Sequence, residues 1–147
     1  MTTQPILVGY DGSPGATAAV AWALDEAGRT GAPVRLAYAF DWPPVVMTPV
    51  DPATVWPAED ARGNAKTVLN RAVAEAASRH PHVPVTAHLL EGRAAPLLRE
   101  QSRHASLVVL GSRGHGGFTG LLLGSISQQL LHHSHCPVAV VRENVPG

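Results

Sequence analysis

The sequence predicts an α/β fold in which a mostly parallel sheet is covered by helices on both faces. Short apolar runs of strand length alternate with longer segments whose apolar residues recur at helical spacing. The chain has 147 residues, enough for one domain with a substantial buried core. Because each parallel strand pair needs a crossover connection, the helical segments supply the links between strands. One domain over residues 1–147 is therefore expected.

The first strand and helix are marked by clear boundary residues. Ile6–Gly9 is an apolar run that leads into a turn, which predicts a buried strand. Ser13 and Pro14 favour a helix start, since serine accepts from unsatisfied amides and proline suits the first helical position. Apolar residues then follow three-and-four spacing, and Val34–Phe40 predicts the second strand.

A proline-rich segment separates the second strand from the second helix. Asp41–Pro57 contains five prolines, so no regular structure is expected there. It can act as a lid or as a partner surface, and the sequence does not decide between the two. From Ala58 to about His80 the apolar residues again follow helical spacing, which predicts a long amphipathic helix.

The second half of the chain continues the alternation. The expected elements are a strand over Val83–Leu90, a helix over Pro96–His104, a strand over Leu107–Leu110, a helix over Ser125–His133 and a strand over Pro137–Val141. The order is then βαβαβαβαβ. In such sheets a ligand binds beyond the carboxyl ends of the strands, so the loops after the first and fourth strands are the candidate site.

Charge and composition exclude several function classes. Eleven basic and eleven acidic residues cancel, so neither nucleic acid nor a membrane surface is an expected partner. Cys136 is the only cysteine, which excludes an intrachain disulfide. Without a secretory or membrane-length apolar segment, a cytoplasmic location is expected. No protein-held metal site is expected, since neighbouring His132 and His133 face different directions on a helix.

The segment Gly111–Ser125 carries the strongest chemical signal. It contains six glycines between a strand and a helix, where backbone amides can turn inward and approach a ligand closely. Gly124 and Ser125 stand at a helix amino end, which favours phosphate oxygens. A P-loop is excluded because the only lysine, Lys66, lies in another helix, and the first turn lacks the spacing of a dinucleotide fingerprint.

Two residues near this segment keep alternative interpretations. Asp11 can stabilise its own Asp-Gly turn, contact a ligand, or do both. Arg113 can be a solvated charge, a partner of an acid, or a phosphate contact. No catalytic residue can be assigned from the sequence.

The glycine segment resembles a known family signature. Gly111-x2-Gly114-x9-Gly124-Ser125 matches the G-x2-G-x9-G-(S/T) nucleotide-binding motif of the universal stress protein family. Ile6–Ser13 and His135–Arg142 resemble the family's opening and closing strands, so the resemblance covers nearly the whole chain. It implies a single Rossmann-like domain with a five-stranded parallel sheet of order 3-2-1-4-5 and helices on both faces.

The resemblance also implies a ligand and its contacts. The ligand would be ATP, with Mg²⁺ carried by the nucleotide; Asp11 would lie near the ribose or metal, and Ala39 would line the adenine pocket. The residues expected to contact the nucleotide are Gly9, Tyr10, Asp11, Ala39, Gly111, Ser112, Arg113, Gly114, Gly124, Ser125, Ile126 and Ser127. The implied function is a regulatory stress response that depends on binding. A slow ATPase or nucleotidyl-transfer enzyme, a cyclic-AMP binder and a nucleotide-free structural dimer remain alternatives.

The resemblance finally implies an assembly. In the order 3-2-1-4-5 the last strand lies at a sheet edge, and an unpaired apolar edge tends to associate. A homodimer through Val138–Val141, as is usual in the family, is therefore expected.

Overall fold

Five parallel strands form one sheet in the order β3-β2-β1-β4-β5, which confirms the expected order. The structure is a computed structural model that describes residues 4–40, 58–112 and 124–143. The elements are β1 (Ile6–Gly9), α1 (Pro14–Thr30), β2 (Val34–Phe40), α2 (Ala58–Arg79), β3 (Val85–Glu91), α3 (Ala94–Gln101), β4 (Leu107–Gly111), α4 (Ser125–His133) and β5 (Val138–Val141). The segment Asp41–Pro57 lies outside the described residues.

The sheet changes winding direction beside its central strand. Ile6 of β1 is aligned with Val34 of β2 on one side and with Leu107 of β4 on the other. The chain therefore leaves β1 towards β2 but leaves β4 towards β5, on the opposite side of the sheet. A crevice at the carboxyl ends of β1 and β4 is the geometric consequence.

Helix α1 begins where the sequence predicts and is closed at both ends by local residues. The Ser13 hydroxyl accepts from the backbone N–H of Ala16 at 3.2 Å, and Pro14 takes the first helical position. At the other end Gly31 adopts a left-handed conformation, with φ of 81°, and donates its N–H to the Ala27 carbonyl. Both ends of the helix are thus satisfied by local residues.

Each face of the sheet buries its own apolar cluster. Helices α1 and α2 cover one face, where Val8 and Leu36 of the sheet pack with Leu24 and Leu69 of the helices. Helices α3 and α4 cover the other, where Leu7 and Val108 pack with Leu98 and Leu130. Successive side chains of a strand point to opposite faces of the sheet, so neighbouring residues such as Leu7 and Val8 belong to different clusters.

Two predicted boundaries differ by two residues. β3 begins at Val85 instead of Val83, because the N–H of Val83 donates to the His80 carbonyl and Pro84 has no donor for a ladder. α3 begins at Ala94 instead of Pro96, and a short 3₁₀ turn over Ser102–His104 follows it. Pro96 is tolerated inside the first turn because amides there have no intrahelical acceptor. Among the described helices none has the length and apolar character needed to cross a bilayer.

Candidate functional site

The end of β4 lies directly against the first turn of α1. A Cβ built on Gly111 would stand 2.6 Å from the carbonyl carbon of Gly15 and 3.1 Å from the backbone nitrogen of Ala16. These are backbone atoms, so only glycine fits at this position without moving the helix. The contact brings the β4 end beside the β1–α1 turn that contains Asp11, as the sequence predicts.

Hydrogen bonds hold together the two ends of the glycine segment. The Gly124 N–H donates to the Ser112 carbonyl at 2.6 Å, and the Ser112 N–H donates to the Val141 carbonyl at 2.9 Å. Ser112 is buried and Gly124 is partly buried, so the junction lies where the interior meets the surface. Arg113 and Gly114 belong to residues 113–123, outside the described residues, and their expected roles stay predictions.

Helix α4 starts at this junction without a capping side chain. Its N-cap residue is Gly124, whereas α1 has the Ser13 hydroxyl in that place. In its first turn Ser125 is exposed and Ile126 is 38% exposed, whereas Ser127 is buried. The amino end of a helix with uncovered amides carries a positive partial charge that attracts anions.

Ser127 is buried and fastens α4 to β4. Its hydroxyl donates to the Gly111 carbonyl at 2.8 Å. A hydroxyl has a single proton to donate, so in this arrangement Ser127 positions the helix and does not offer a donor to a ligand. Its predicted contact with a nucleotide stays a prediction, and Ser125 is the exposed hydroxyl of the two.

Asp11 has the turn role that the sequence allowed. Its Oδ1 accepts from the Ser13 N–H at 2.9 Å, which fixes the connection between β1 and α1. Tyr10 extends the pairing of β1 with β2, because its N–H donates to the Ala37 carbonyl at 2.9 Å. A ligand role for Asp11 is compatible with this bond, since a carboxylate accepts several hydrogen bonds.

Tyr38 lies beside the candidate site and was not among the residues predicted there. Burial raises the pKa of its phenol, and the nearby Asp11 carboxylate and Tyr10 raise that pKa further. Tyr38 follows Ala37, which is aligned with Gly9 in the β1–β2 pairing, so it reaches the level of Tyr10 at the site. The alternation of side chains along β2 indicates which face Tyr38 is on. Placing Tyr38 beside Tyr10 also requires the register in which β1 and β2 pair.

Two other predicted residues have packing roles. A Cβ on Gly9 would lie 2.6 Å from Leu110 Cδ2 and 3.1 Å from Leu98 Cδ1, so its missing side chain makes room for the core under α3. Ala39 is half-buried near the carboxyl end of β2, where it is aligned with Leu90 of β3. Contact of either residue with a nucleotide stays a prediction.

Together these features define the class of this protein: a Rossmann-like α/β fold whose switch point is lined by a glycine-led helix start. The profile described as the universal stress protein family matches residues 2–142, and the chain belongs to that family. A universal stress protein of Mycobacterium tuberculosis is 40% identical over 141 residues, which make up 95% of this chain and 46% of that protein. The chain thus spans about half the length of the curated relatives it matches.

Solved structures share the architecture over almost the whole chain. A universal stress protein family member from Burkholderia pseudomallei is 29% identical with a TM-score of 0.71, covering 95% of this chain and 96% of its own. The Archaeoglobus fulgidus universal stress protein in complex with dAMP is 23% identical with a TM-score of 0.68, covering 95% and 98%. A universal stress protein in complex with cAMP is 22% identical with a TM-score of 0.66, covering 98% and 100%. At 23% and 22% identity, the likeness to the dAMP and cAMP complexes shows a shared fold only.

Proposed function

We propose that this protein binds an adenine nucleotide, ATP with its Mg²⁺, at the carboxyl ends of β1 and β4, and that it regulates partners through the bound state. The observation that carries the proposal is the start of α4. There the N-cap residue, Gly124, has no side chain that could accept from the first-turn amides, and the β4 end beside it has no room for a Cβ. Such helix starts bind phosphate through backbone N–H groups and the helix dipole.

Different residues of the site are assigned to the phosphates, the ribose and the adenine of the nucleotide. Gly124, Ser125 and the amide of Ile126 hold phosphate oxygens, with Arg113 and Gly114 completing the cradle. Asp11 lies at the ribose or metal side and Ala39 at the adenine. Mg²⁺ keeps several waters and binds mainly to phosphate oxygens, so it arrives with the nucleotide and supplies charge neutralisation there.

The bound ligands of relatives support the adenine part of this proposal. Universal stress proteins of the same fold have been solved with dAMP and with cAMP. Both ligands contain adenine and one phosphate, which a short cradle at one helix start can hold. Cyclic AMP is therefore the second candidate ligand, and competition between it and ATP distinguishes the two.

The position of the only lysine supports binding without rapid turnover. The only lysine of the chain, Lys66, is exposed on α2, a helix that covers the sheet face opposite to α4. Phosphoryl transfer in P-loop enzymes depends on a lysine at the phosphates and a residue that orients water. Phosphate release over many turnovers, lost on Gly114→Ala, would instead favour a slow ATPase.

Calorimetry on ligand-stripped protein with Mg·ATP tests the proposal. Ser125→Asp places a carboxylate at the amino end of α4, which favours the helix by about 0.3–1 kcal/mol but repels a phosphate. Two like charges a few ångströms apart near a surface repel by on the order of 1–4 kcal/mol, so ATP affinity should fall by roughly tenfold or more.

The matched control is Asn70→Asp, which adds the same charge on an exposed position of α2. It should leave ATP affinity unchanged. If wild-type protein with native secondary structure gives no binding heat with ATP, ADP or cyclic AMP, the proposal is wrong. Equal affinity of Ser125→Asp and wild type for ATP would place the phosphates elsewhere.

We also propose that the protein acts in the cytoplasm as a homodimer joined through β5. The strand is at the sheet edge, all four of its residues are half-buried, and three of the four are valine. Val140→Glu should yield monomers in sedimentation velocity. Thr86→Glu, on the exposed side of the opposite edge strand β3, should leave the assembly unchanged, and a Val140→Glu dimer would contradict this interface.

A further inference from the structure

The sheet face covered by α3 and α4 carries a groove that the proposed nucleotide site does not use. The groove lies between the two helices and has a volume of about 270 Å³. Ala95 contributes to its apolar part. The polar side chains that line it are Arg99, Glu100, Arg103, Gln129 and His133.

Helical spacing explains why these side chains converge. Ala95, Arg99 and Arg103 are four residues apart along α3 and the 3₁₀ turn that follows it, so they form one stripe. Gln129 and His133 are likewise four apart on α4. Two stripes that face the same groove bring donors from both walls towards one space.

The groove carries an excess of positive charge in a chain that has none overall. Two arginines line it against one glutamate, whereas the whole sequence has equal numbers of acidic and basic residues. Arg99 forms no ion pair with any residue in the described part of the chain. Arg103 Nε pairs with Glu100 Oε2 at 3.2 Å, and both side chains are more than half exposed.

Because both side chains are exposed, the ion pair between Glu100 and Arg103 is weak. Ion pairs between exposed side chains contribute little, since water screens them and two long side chains must be ordered. An incoming anion can therefore replace Glu100 at small cost. The anion would then contact the guanidinium groups of both Arg99 and Arg103. Each guanidinium can donate two parallel N–H hydrogen bonds to one oxyanion.

We propose that this groove is a second ligand site, which binds the phosphate or carboxylate group of a compact, multiply charged metabolite through Arg99 and Arg103. The Gln129 amide and the His133 ring supply further donors from the opposite wall. The volume lies below the roughly 300–1,000 Å³ of sites for drug-sized ligands, so a compact anion fits better than a whole nucleotide. The site does not depend on the proposed nucleotide function.

Residue-resolved NMR titration of the full chain tests the proposal, with pyrophosphate and citrate as separate probes. Saturable amide shifts are expected over residues 94–104 and at Gln129 and His133. Arg99→Gln should weaken binding about tenfold through loss of a charge-assisted hydrogen bond. Glu100→Gln should strengthen it about two- to fivefold, because Arg103 is then released from its pair. Tighter binding of one probe identifies phosphate or carboxylate as the preferred group.

The control is Arg79→Gln, which removes the same charge from an exposed position at the end of α2, on the other face of the sheet. It should not change the affinity. The proposal is overturned if neither probe gives saturable shifts, if Arg79→Gln weakens binding as much as Arg99→Gln, or if the shifts are confined to residues 111–127. Should Arg99→Gln fail to fold, Arg103→Gln applies the same test from the neighbouring turn.

Discussion

Replacing Gly111 with alanine should destabilise the protein and disturb the candidate nucleotide site. The new Cβ would lie 2.6 Å from the carbonyl carbon of Gly15, 2.7 Å from its oxygen and 3.1 Å from the nitrogen of Ala16. These atoms belong to the backbone of α1 and cannot rotate away, so β4 and α1 must separate. Overpacking of this kind costs about 1–3 kcal/mol, a large part of the roughly 5–15 kcal/mol that stabilises a typical domain.

Urea unfolding followed by circular dichroism measures this cost. With a denaturant slope of about 1–3 kcal/mol per molar urea, a loss of about 2 kcal/mol lowers the midpoint by roughly 1 M. Mg·ATP affinity should fall as well, because the end of β4 and the start of α4 are joined through the bond between Ser127 and the Gly111 carbonyl.

Two alanine substitutions serve as matched controls. Gly28→Ala adds a Cβ on α1 with no heavy atom within 4 Å, and it should raise stability by up to about 1 kcal/mol through helix propensity. Gly9→Ala meets only the side-chain ends of Leu110 and Leu98, which can shift, so its cost should be smaller than that of Gly111→Ala. An unchanged midpoint for Gly111→Ala, or a larger loss for Gly9→Ala, would refute the reasoning.

Three further substitutions test single interactions. Ser13→Ala removes the α1 cap at Ala16 and should cost about 1 kcal/mol in chemical denaturation, whereas Ser13→Asn should restore most of it. Ser127→Ala leaves the Gly111 carbonyl without this donor and should cost about 1–3 kcal/mol; no loss would mean that water replaces the hydroxyl. Tyr38 has a pKa above its ordinary value of 10.0, so its contribution to stability is complete below pH 10 and decreases as the pH rises through the folded-state pKa. Tyr38→Phe should remove a phenolate titration above pH 10 and abolish the decline in stability between pH 10 and the folded-state pKa of Tyr38; an unchanged titration would assign the raised pKa elsewhere.

Much of the fold could be predicted because its signals are local. The apolar run before Ser13, the serine and proline at the start of α1, and the alternation of strands with helices each depend on neighbouring residues. The resemblance added the sheet order, which the structure confirms. The starts of β3 and α3 were predicted less accurately. Pro84 fits the irregular segment before β3, and Pro96 fits inside the first turn of α3, so neither proline marks the exact start of its element.

The sequence predicted which two connections lie side by side at the candidate site, but not the contacts between them. The glycine pattern located the start of α4 beside the β4 end, and Asp11 has the turn role that was kept open. The packing role of Gly9, the commitment of the Ser127 proton to Gly111, and the approach of Tyr38 to Asp11 could not be inferred. Each joins elements that are distant along the chain, and its distance depends on how the strands pair.

The sequence by itself determined which segments become strands and helices, where turns and helix starts fall, and that a glycine-rich connection follows the fourth strand. These properties come from backbone preferences and apolar spacing within a few residues. Only the tertiary structure decided that Gly111 must lack a side chain because α1 lies against it, and that Arg99 and Gln129 face one groove. Those properties exist only after the helices have packed on their two faces of the sheet, since packing sets distances between residues that are remote along the chain.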